Sequence, residues 1–246
     1  MKKEIYKYGI YLQPQVHLDS GKIIGAEALV RRLGDGGQFI LPDKFIPEME
    51  FKEEIEKVDL LVMKKVCSLL KRWNSTGISE LPFSVNLSRS TLSNPQMVNQ
   101  LIELYNQSNL SLGSVILEIT ERSTDEKDVK INLTEYAERL CSAGFELSLD
   151  DYGSGFSNLK ILSEIEFSEL KIDKSLIDNL TKNHKARVLV ESTVEMCKTI
   201  GNIRCIAQGV ETESQVRCLR ELGCEYGQGF YYYKPMSVGS FEKMFT

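Results

Sequence analysis

Six strand-like segments of the chain each place one polar side chain near their C-terminal end, and most of these side chains are typical ligands of a hard metal ion. Successive side chains of a strand point to opposite faces. In the segment FELSLDD, for example, Phe145, Leu147 and Leu149 share one face and Asp150 lies on the other. The six residues are Glu27, Asn86, Glu118, Asp150, Lys171 and Gln208. Their common placement predicts that they converge on one site.

Carboxylates that converge on one site repel each other, and some of them stay protonated unless a cation compensates their charge. The acidic residues of the predicted site are Glu27, Glu118, Asp150 and Asp151. Oxygen ligands suit Mg²⁺ or Mn²⁺ better than zinc. The chain has only two histidines, and both lie outside the six segments, which also disfavours zinc. The residue types therefore predict a site for magnesium or manganese.

Strand-like and helix-like stretches alternate along the chain. The strand-like runs lie near residues 9–16, 22–31, 83–88, 115–120, 145–150, 168–173, 203–208 and 224–231. The helix-like stretches are 53–73, 91–108, 127–142, 156–165, 184–200, 212–222 and one that begins at 237. This alternation predicts a parallel α/β architecture, and about eight strands favour a (β/α)8 TIM-like barrel with its active site at the C-terminal strand ends. A doubly wound open sheet is the alternative.

The first two strand-like runs are joined only by the segment HLDSGK, which is too short for a helical crossover. They should form a hairpin, so one barrel strand is predicted to run antiparallel to its neighbours. The sequence contains no linker rich in Pro, Gly or Ser and no fixed-period repeat. We therefore expect residues 1–246 to form a single barrel domain.

Composition and charge narrow the classes of function. The net charge of −5 gives no general attraction to DNA, RNA or an anionic membrane. The N-terminal segment has no apolar core of a signal peptide, and no run approaches the length of a membrane span. The six cysteines form no CxxC pair and are interpreted as reduced, largely buried thiols. These features predict a cytoplasmic location.

Eight short motifs, taken in order, resemble the EAL domain family. They are LQP, EALVR, SVNLS, LEITE, DDYGSGFSNL, LKID, GVET and QGFYYYKP, and they extend from about Tyr11 to about Pro235. EAL domains are phosphodiesterases specific for cyclic di-GMP in bacterial second-messenger signalling. The resemblance implies hydrolysis of cyclic di-GMP to linear pGpG by two metal ions, Mg²⁺ or Mn²⁺. It also implies a homodimer.

The resemblance assigns roles to individual residues. The first metal ion would be held by Glu27, Asn86, Glu118 and Asp150, and the second by Asp150, Asp151 and Gln208. Lys171 would position the nucleophile or neutralise charge in the transition state. Glu121 and Glu211 would support catalysis, with Glu121 anchoring a mobile loop over residues 150–159. Contacts to the substrate are expected from Gln13, Leu29, Arg31, Asp173, Gln228 and Pro235.

One residue departs from the family pattern in a way that bears on activity. The pattern EGVE is QGVE here, so Gln208 replaces a carboxylate. Glutamine keeps a carbonyl oxygen that can bind a metal ion, but it is uncharged and cannot act as a base. Three outcomes are consistent with it: a weakened phosphodiesterase, a receptor or protein-interaction domain that does not cleave cyclic di-GMP, or an engineered substitution. Another two-metal barrel hydrolase is a more remote alternative.

Overall fold

The computed structural model describes residues 7–34, 38–74, 80–120, 133–155, 159–201 and 203–245, in which strands and helices alternate. The strands are β1 (Lys7–His17), β2 (Ile23–Leu33), β3 (Phe39–Ile40), β4 (Phe83–Leu87), β5 (Val115–Thr120), β6 (Glu146–Tyr152), β7 (Glu169–Ile172), β8 (Arg204–Gln208), β9 (Tyr226–Gln228) and β10 (Met236–Ser237). The helices are α1 (Ile46–Phe51), α2 (Ile55–Asn74), α3 (Arg89–Ser93), α4 (Pro95–Ser108), α5 (Leu133–Ser142), α6 (Leu159–Glu164), α7 (Lys174–Asn179), α8 (His184–Ile200), α9 (Glu213–Glu221) and α10 (Val238–Glu242). A 3₁₀ turn spans Pro42–Lys44.

Strands of the described ranges pair in a closed ring, in the order β1-β2-β4-β5-β6-β7-β8-β9 and back to β1. Strand β1 is antiparallel to both of its ring neighbours, and the other ring pairs are parallel. The short strands β3 and β10 extend β2 and β1 outside the ring. The prediction of a (β/α)8 barrel with one antiparallel strand is confirmed, and the open sheet is excluded.

Most predicted helices are present, with two differences. The stretch predicted as one helix over 91–108 is two helices, α3 and α4. Pro95 has no N–H to donate to a continuing helix, and the side chain of Asn94 instead caps α4 by accepting from the N–H of Gln96. Helices α1 and α7 were not predicted, because each has only 6 residues and little room for a helical period. Residues 127–132 and 156–158 of the predicted helices lie outside the described residues.

The apolar strand faces pack against the helices around the ring. Helix α2 shows why its sequence is helical: Val62, Val66 and Leu70, four residues apart, are all buried on one side. Burying such a side chain contributes roughly 1.5–3 kcal/mol. Near the start of β4, the Trp73 ring lies 5.2 Å from that of Phe83 and 5.7 Å from that of Phe241 in α10. In the part of the chain covered by the structure, no helix is both long and apolar enough to cross a membrane.

Candidate active site at the C-terminal mouth of the barrel

A fully buried lysine lies between three carboxylates at the C-terminal ends of the ring strands. The Nζ atom of Lys171 is 2.7 Å from Glu118 Oε1, 3.1 Å from Glu27 Oε2 and 3.5 Å from Asp150 Oδ1. These residues come from β7, β5, β2 and β6, so parallel strand ends bring them together as the sequence predicts. An unpaired ammonium at such a position would be costly to bury. Burial by itself lowers the pKa of Lys171, but Asp150, Glu118 and Glu27 together raise this pKa well above its usual value. The three carboxylates therefore favour the ammonium form of Lys171.

Glu27 accepts hydrogen bonds from two amide side chains as well as from Lys171. Asn86 Nδ2 donates to Glu27 Oε1 at 2.9 Å, and Gln228 Nε2 donates to Glu27 Oε2 at 2.7 Å. The same Gln228 nitrogen is 3.1 Å from Gln13 Oε1. Burial raises the pKa of Glu27, but the charge of Lys171 and the three donors outweigh it and lower the pKa overall. Glu27 is thus held as a carboxylate.

Glu118 is in the opposite electrostatic situation. Burial is the largest influence and, with the charges of Glu27 and Asp150, raises the pKa of Glu118 well above its usual value despite Lys171. Its second oxygen, Oε2, is buried and has no hydrogen-bond partner among the described residues. A buried carboxylate oxygen without a donor is a site where a cation or a proton is stabilised.

Gln208 makes a specific contact that a carboxylate at this position could not make. Its Nε2 donates to Asp150 Oδ1 at 2.8 Å, so the amide supplies a donor to the acidic cluster. Asp151, which follows Asp150 in β6, has a φ of +58°, a left-handed backbone conformation that is uncommon for a non-glycine residue.

The ligand set fits a hard divalent cation by its chemistry, since its donors are carboxylate and amide oxygens. Across the described ranges, no three acidic, histidine or cysteine side chains form a ready-made metal-binding arrangement. The Lys171 ammonium lies between the carboxylates instead.

The predicted substrate-contacting residues surround this cluster at different depths. Gln13 is buried and donates to the Tyr233 carbonyl at 3.2 Å. Arg31 is buried, donates to the Val30 carbonyl at 2.8 Å, and its guanidinium lies 5.4 Å from the centre of the Tyr11 ring. Burial lowers the pKa of Arg31 below its usual value.

Other predicted residues take up positions at the rim. Asp173 caps α7 by accepting from the N–H of Ser175 at 2.9 Å, and the exposed Glu211 pairs with Lys174 at 2.9 Å. Neither joins the buried cluster. Leu29 and Pro235 are half-buried. Glu121 and residues 156–158 of the predicted mobile loop lie outside the described residues.

Two groups near the site were not predicted from the sequence. The Tyr233 carbonyl holds Gln13, and a backbone acceptor has no signature in the sequence. The Tyr11 ring lies against the Arg31 guanidinium. The register of the hairpin would have predicted this contact, because Tyr11 pairs with Leu29, which is two residues before Arg31 on the same strand.

A closed α/β barrel with a buried acidic cluster at its C-terminal mouth defines a TIM-type barrel with an enzyme-type site. The chain belongs to the EAL domain family: the EAL domain model matches residues 6–235. It is similar to the probable cyclic di-GMP phosphodiesterase PdeB of Escherichia coli K12, with 33% identity over 233 residues, 94% of this chain and 43% of that protein. It is also similar to the bifunctional diguanylate cyclase/cyclic di-GMP phosphodiesterase MucR of Pseudomonas aeruginosa PAO1, with 33% identity, covering 92% of this chain and 33% of that protein. The chain thus spans less than half the length of both relatives.

Solved structures support the same relationship. The PaMucR phosphodiesterase in complex with c-di-GMP matches with a TM-score of 0.87 and 31% identity, covering 95% of this chain and 94% of that chain. The EAL enzyme Bd1971 in its form with cAMP and cyclic di-GMP bound matches with a TM-score of 0.87 and 26% identity, covering 97% of this chain and 65% of that chain. EAL phosphodiesterases in general depend on metal ions.

Proposed function

We propose that this chain is a metal-dependent phosphodiesterase that hydrolyses one phosphodiester of cyclic di-GMP and releases linear pGpG. The observation that carries the proposal is the cluster of Lys171, Glu27, Glu118 and Asp150 at the mouth of the barrel. The similarity of the whole barrel to a c-di-GMP-bound phosphodiesterase supports the choice of substrate.

The residues proposed to hold the metal ions follow from the donor set. Glu27, Asn86, Glu118 and Asp150 would bind the first ion, and Asp150, Asp151 and Gln208 the second. The ions, Mg²⁺ or Mn²⁺, would acidify a water molecule and neutralise charge on the phosphate. The unpartnered Oε2 of Glu118 supports its place in this set, because a cation would satisfy an oxygen that is otherwise buried alone.

Lys171 supplies the fixed positive charge of the proposed mechanism. The neighbouring carboxylates favour its ammonium form, which can orient the attacking oxygen or stabilise charge on the phosphoryl oxygens. Gln208 cannot accept the proton of the water. Proton acceptance therefore falls to the remaining carboxylates, and we expect a slower reaction than with a carboxylate at position 208.

The substrate would lie across the mouth of the barrel. Arg31 carries a positive charge suited to a phosphate. The other proposed contacts are Gln13, Leu29, Asp173, Gln228 and Pro235. Glu211 and Glu121 are proposed as supporting residues, with Glu211 at the rim through its pair with Lys174.

Product analysis tests the proposal. Purified chain is incubated with cyclic di-GMP and Mn²⁺ or Mg²⁺, and pGpG is separated by chromatography. Glu118→Gln is the inactive control, and Gln208→Glu runs beside the unmodified chain. Formation of pGpG by the unmodified chain and its loss in Glu118→Gln support the enzyme.

Gln208 is the residue that makes a receptor the alternative to test. Binding of cyclic di-GMP by calorimetry without product, together with turnover in Gln208→Glu, would identify a receptor. Absence of both binding and product in the two forms would refute the proposal.

Assembly and location complete the proposal. We propose a homodimer, and sedimentation velocity at several concentrations tests it. A nucleotide second messenger as substrate and six cysteines without a disulfide support a cytoplasmic location.

A further inference from the structure

The first hairpin of the chain extends past the ring and carries a second set of side chains on the face of the site residues. Gln13 of β1 pairs with Glu27 of β2, and both point into the ring. Because side chains alternate along a strand, the residues nearer the mouth that share this face are Gly9, Tyr11, Leu29, Arg31 and Leu33. The residues between them, Tyr8, Ile10 and Val30, pack against the hydrophobic core instead. The hairpin therefore forms a wall beside the mouth of the barrel.

Strand β3 adds Phe39 to this wall. Phe39 pairs with Leu33 and Ile40 pairs with Arg32, and residues directly opposite in an antiparallel pair share a face. Phe39 therefore lies on the face of Leu33 and Arg31. The next residue, Ile40, lies on the other face and packs against the hydrophobic core, as the alternation requires.

Contacts within the wall hold the Phe39 ring next to Arg31. The centres of the Phe39 and Tyr11 rings are 5.2 Å apart, and the rings meet edge to face at an interplanar angle of 67°. The Arg31 guanidinium lies 5.4 Å from the centre of the same Tyr11 ring. A Cβ atom on Gly9 would lie 3.6 Å from the Phe39 ring, so the backbone of β1 also supports this ring. Phe39 is nevertheless 46% exposed.

An exposed aromatic ring that is held in place near a cationic side chain is a stacking surface for a nucleic-acid base. Arg31 is the residue proposed to contact a phosphate of the substrate. The row from Arg31 through Tyr11 to Phe39 consists of two contacts of just over 5 Å each. The base and the phosphate of one nucleotide are separated by a single ribose, which is a comparable length. A nucleotide whose phosphate lies at Arg31 can therefore bring its base to Phe39.

We propose that Phe39 stacks on a guanine base of the bound cyclic dinucleotide. This inference rests on the proposed function and deepens it, because it assigns a residue that binds the base and not the phosphate. Stacking on the base is made equally in the bound substrate and in the transition state, since the base lies away from the bond that breaks. Such a contact changes KM and leaves kcat unchanged.

Substitution of Phe39 tests the proposal. Initial rates of pGpG formation with Mn²⁺ give kcat and KM, and calorimetry gives the Kd of cyclic di-GMP if the unmodified chain binds it without turnover. Phe39→Ala should raise KM or Kd roughly 5- to 150-fold at unchanged kcat, and Phe39→Trp, which keeps a stacking surface, should stay close to the unmodified chain. Phe51→Ala is the matched control, because it removes an exposed phenylalanine of α1 and should change neither constant. Thermal unfolding and Mn²⁺ affinity check that each variant is folded and that its acidic cluster is intact.

The fluorescence of Phe39→Trp gives a direct signal of stacking. The natural tryptophan of the chain, Trp73, is buried beside Phe83, so the introduced indole is the one that a ligand can reach. Cyclic di-GMP should quench this indole, whereas ribose 5-phosphate at the same concentration, which has no base, should not.

The results separate the stacking from the proposed function. If Phe39→Ala has the KM or Kd of the unmodified chain, or if cyclic di-GMP does not quench the indole of Phe39→Trp, the stacking is overturned and the phosphodiesterase proposal stands. A fall in kcat at unchanged KM also overturns the stacking. An unmodified chain that neither binds nor cleaves cyclic di-GMP refutes the proposed function, and the stacking with it.

Discussion

Gln208→Glu is the substitution that tests the acidic cluster most directly. The amide nitrogen of Gln208 donates to Asp150 Oδ1 at 2.8 Å, whereas a glutamate would bring a second carboxylate to the same place. Two like charges about 4 Å apart repel by about 4 kcal/mol at an effective dielectric constant of ~20. Position 208 is half-buried, so solvent screens part of this repulsion, and Lys171 Nζ at 3.5 Å from Asp150 Oδ1 offsets another part. We expect the metal-free variant to lose about 1–3 kcal/mol of unfolding free energy.

A divalent cation should offset the loss of unfolding free energy in Gln208→Glu. Glutamate adds ligand charge where glutamine offers a neutral carbonyl oxygen, so cation binding to the folded variant relieves the repulsion. A gain of about 1.4–2.8 kcal/mol in cation binding corresponds to roughly ten- to hundredfold tighter affinity. Turnover of cyclic di-GMP should rise with it, and saturation should need less Mn²⁺.

Urea unfolding with EDTA and with Mn²⁺ measures the two effects in one experiment. Gln208→Ala is the matched control, because it removes the hydrogen bond without adding charge. The alanine variant should be destabilised under both conditions, and the glutamate variant only without the cation. If Mn²⁺ leaves the loss in Gln208→Glu unchanged, position 208 does not contact the cation, and the assignment of the second metal site is wrong.

Three further changes test other parts of the structure. Burial and the charges of Glu27 and Asp150 raise the pKa of Glu118, so the folded chain holds a proton that the unfolded chain releases. The unfolding free energy of the metal-free chain should therefore fall as pH rises above the ordinary carboxyl range. Glu118→Gln should reduce this dependence on pH, which urea titrations at several pH values measure. A slope that Glu118→Gln leaves unchanged would contradict this account. Lys171→Met should cost about 3–5 kcal/mol in metal-free urea unfolding, because it removes the cation from buried carboxylates, and an undiminished stability would refute the ion cluster. Phe241→Ala should cost about 3–5 kcal/mol through the cavity it leaves, while cation affinity by calorimetry stays the same; a parallel loss of affinity would show that α10 also supports the site.

Local sequence patterns predicted the strands and the inward direction of the site residues. Glu118 and Lys171 stand out because strand side chains alternate, and the short connection after β1 required a hairpin. The alternation cannot give distances between strands: the contact from Lys171 to Glu27 joins residues 144 positions apart and depends on closure of the ring.

Other features were missed for physical reasons. Helix α7 is too short for a hydrophobic period, although Asp173 followed by Ser175 is a sequence typical of a helix cap. The donor role of Gln208 toward Asp150 depends on which end of the amide faces the carboxylate, and the sequence contains no information on that choice. The assigned roles of Leu29, Pro235 and Glu121 stay predictions.

The pairing of β1 with β9 has a consequence for how the chain folds. The hydrogen bond from Gln228 in β9 to Glu27 in β2 links residues 201 positions apart and spans β1, whose pairing with β9 is the seam that closes the ring. Contacts of such long sequence separation form slowly, since their loop entropy must be overcome before they add stability. A chain stalled before β9 docks would lack the Gln228 donor to Glu27. A cation whose binding depends on Glu27 held by Gln228 would therefore bind only after β9 has paired with β1. Binding of this cation would then report that the barrel has closed.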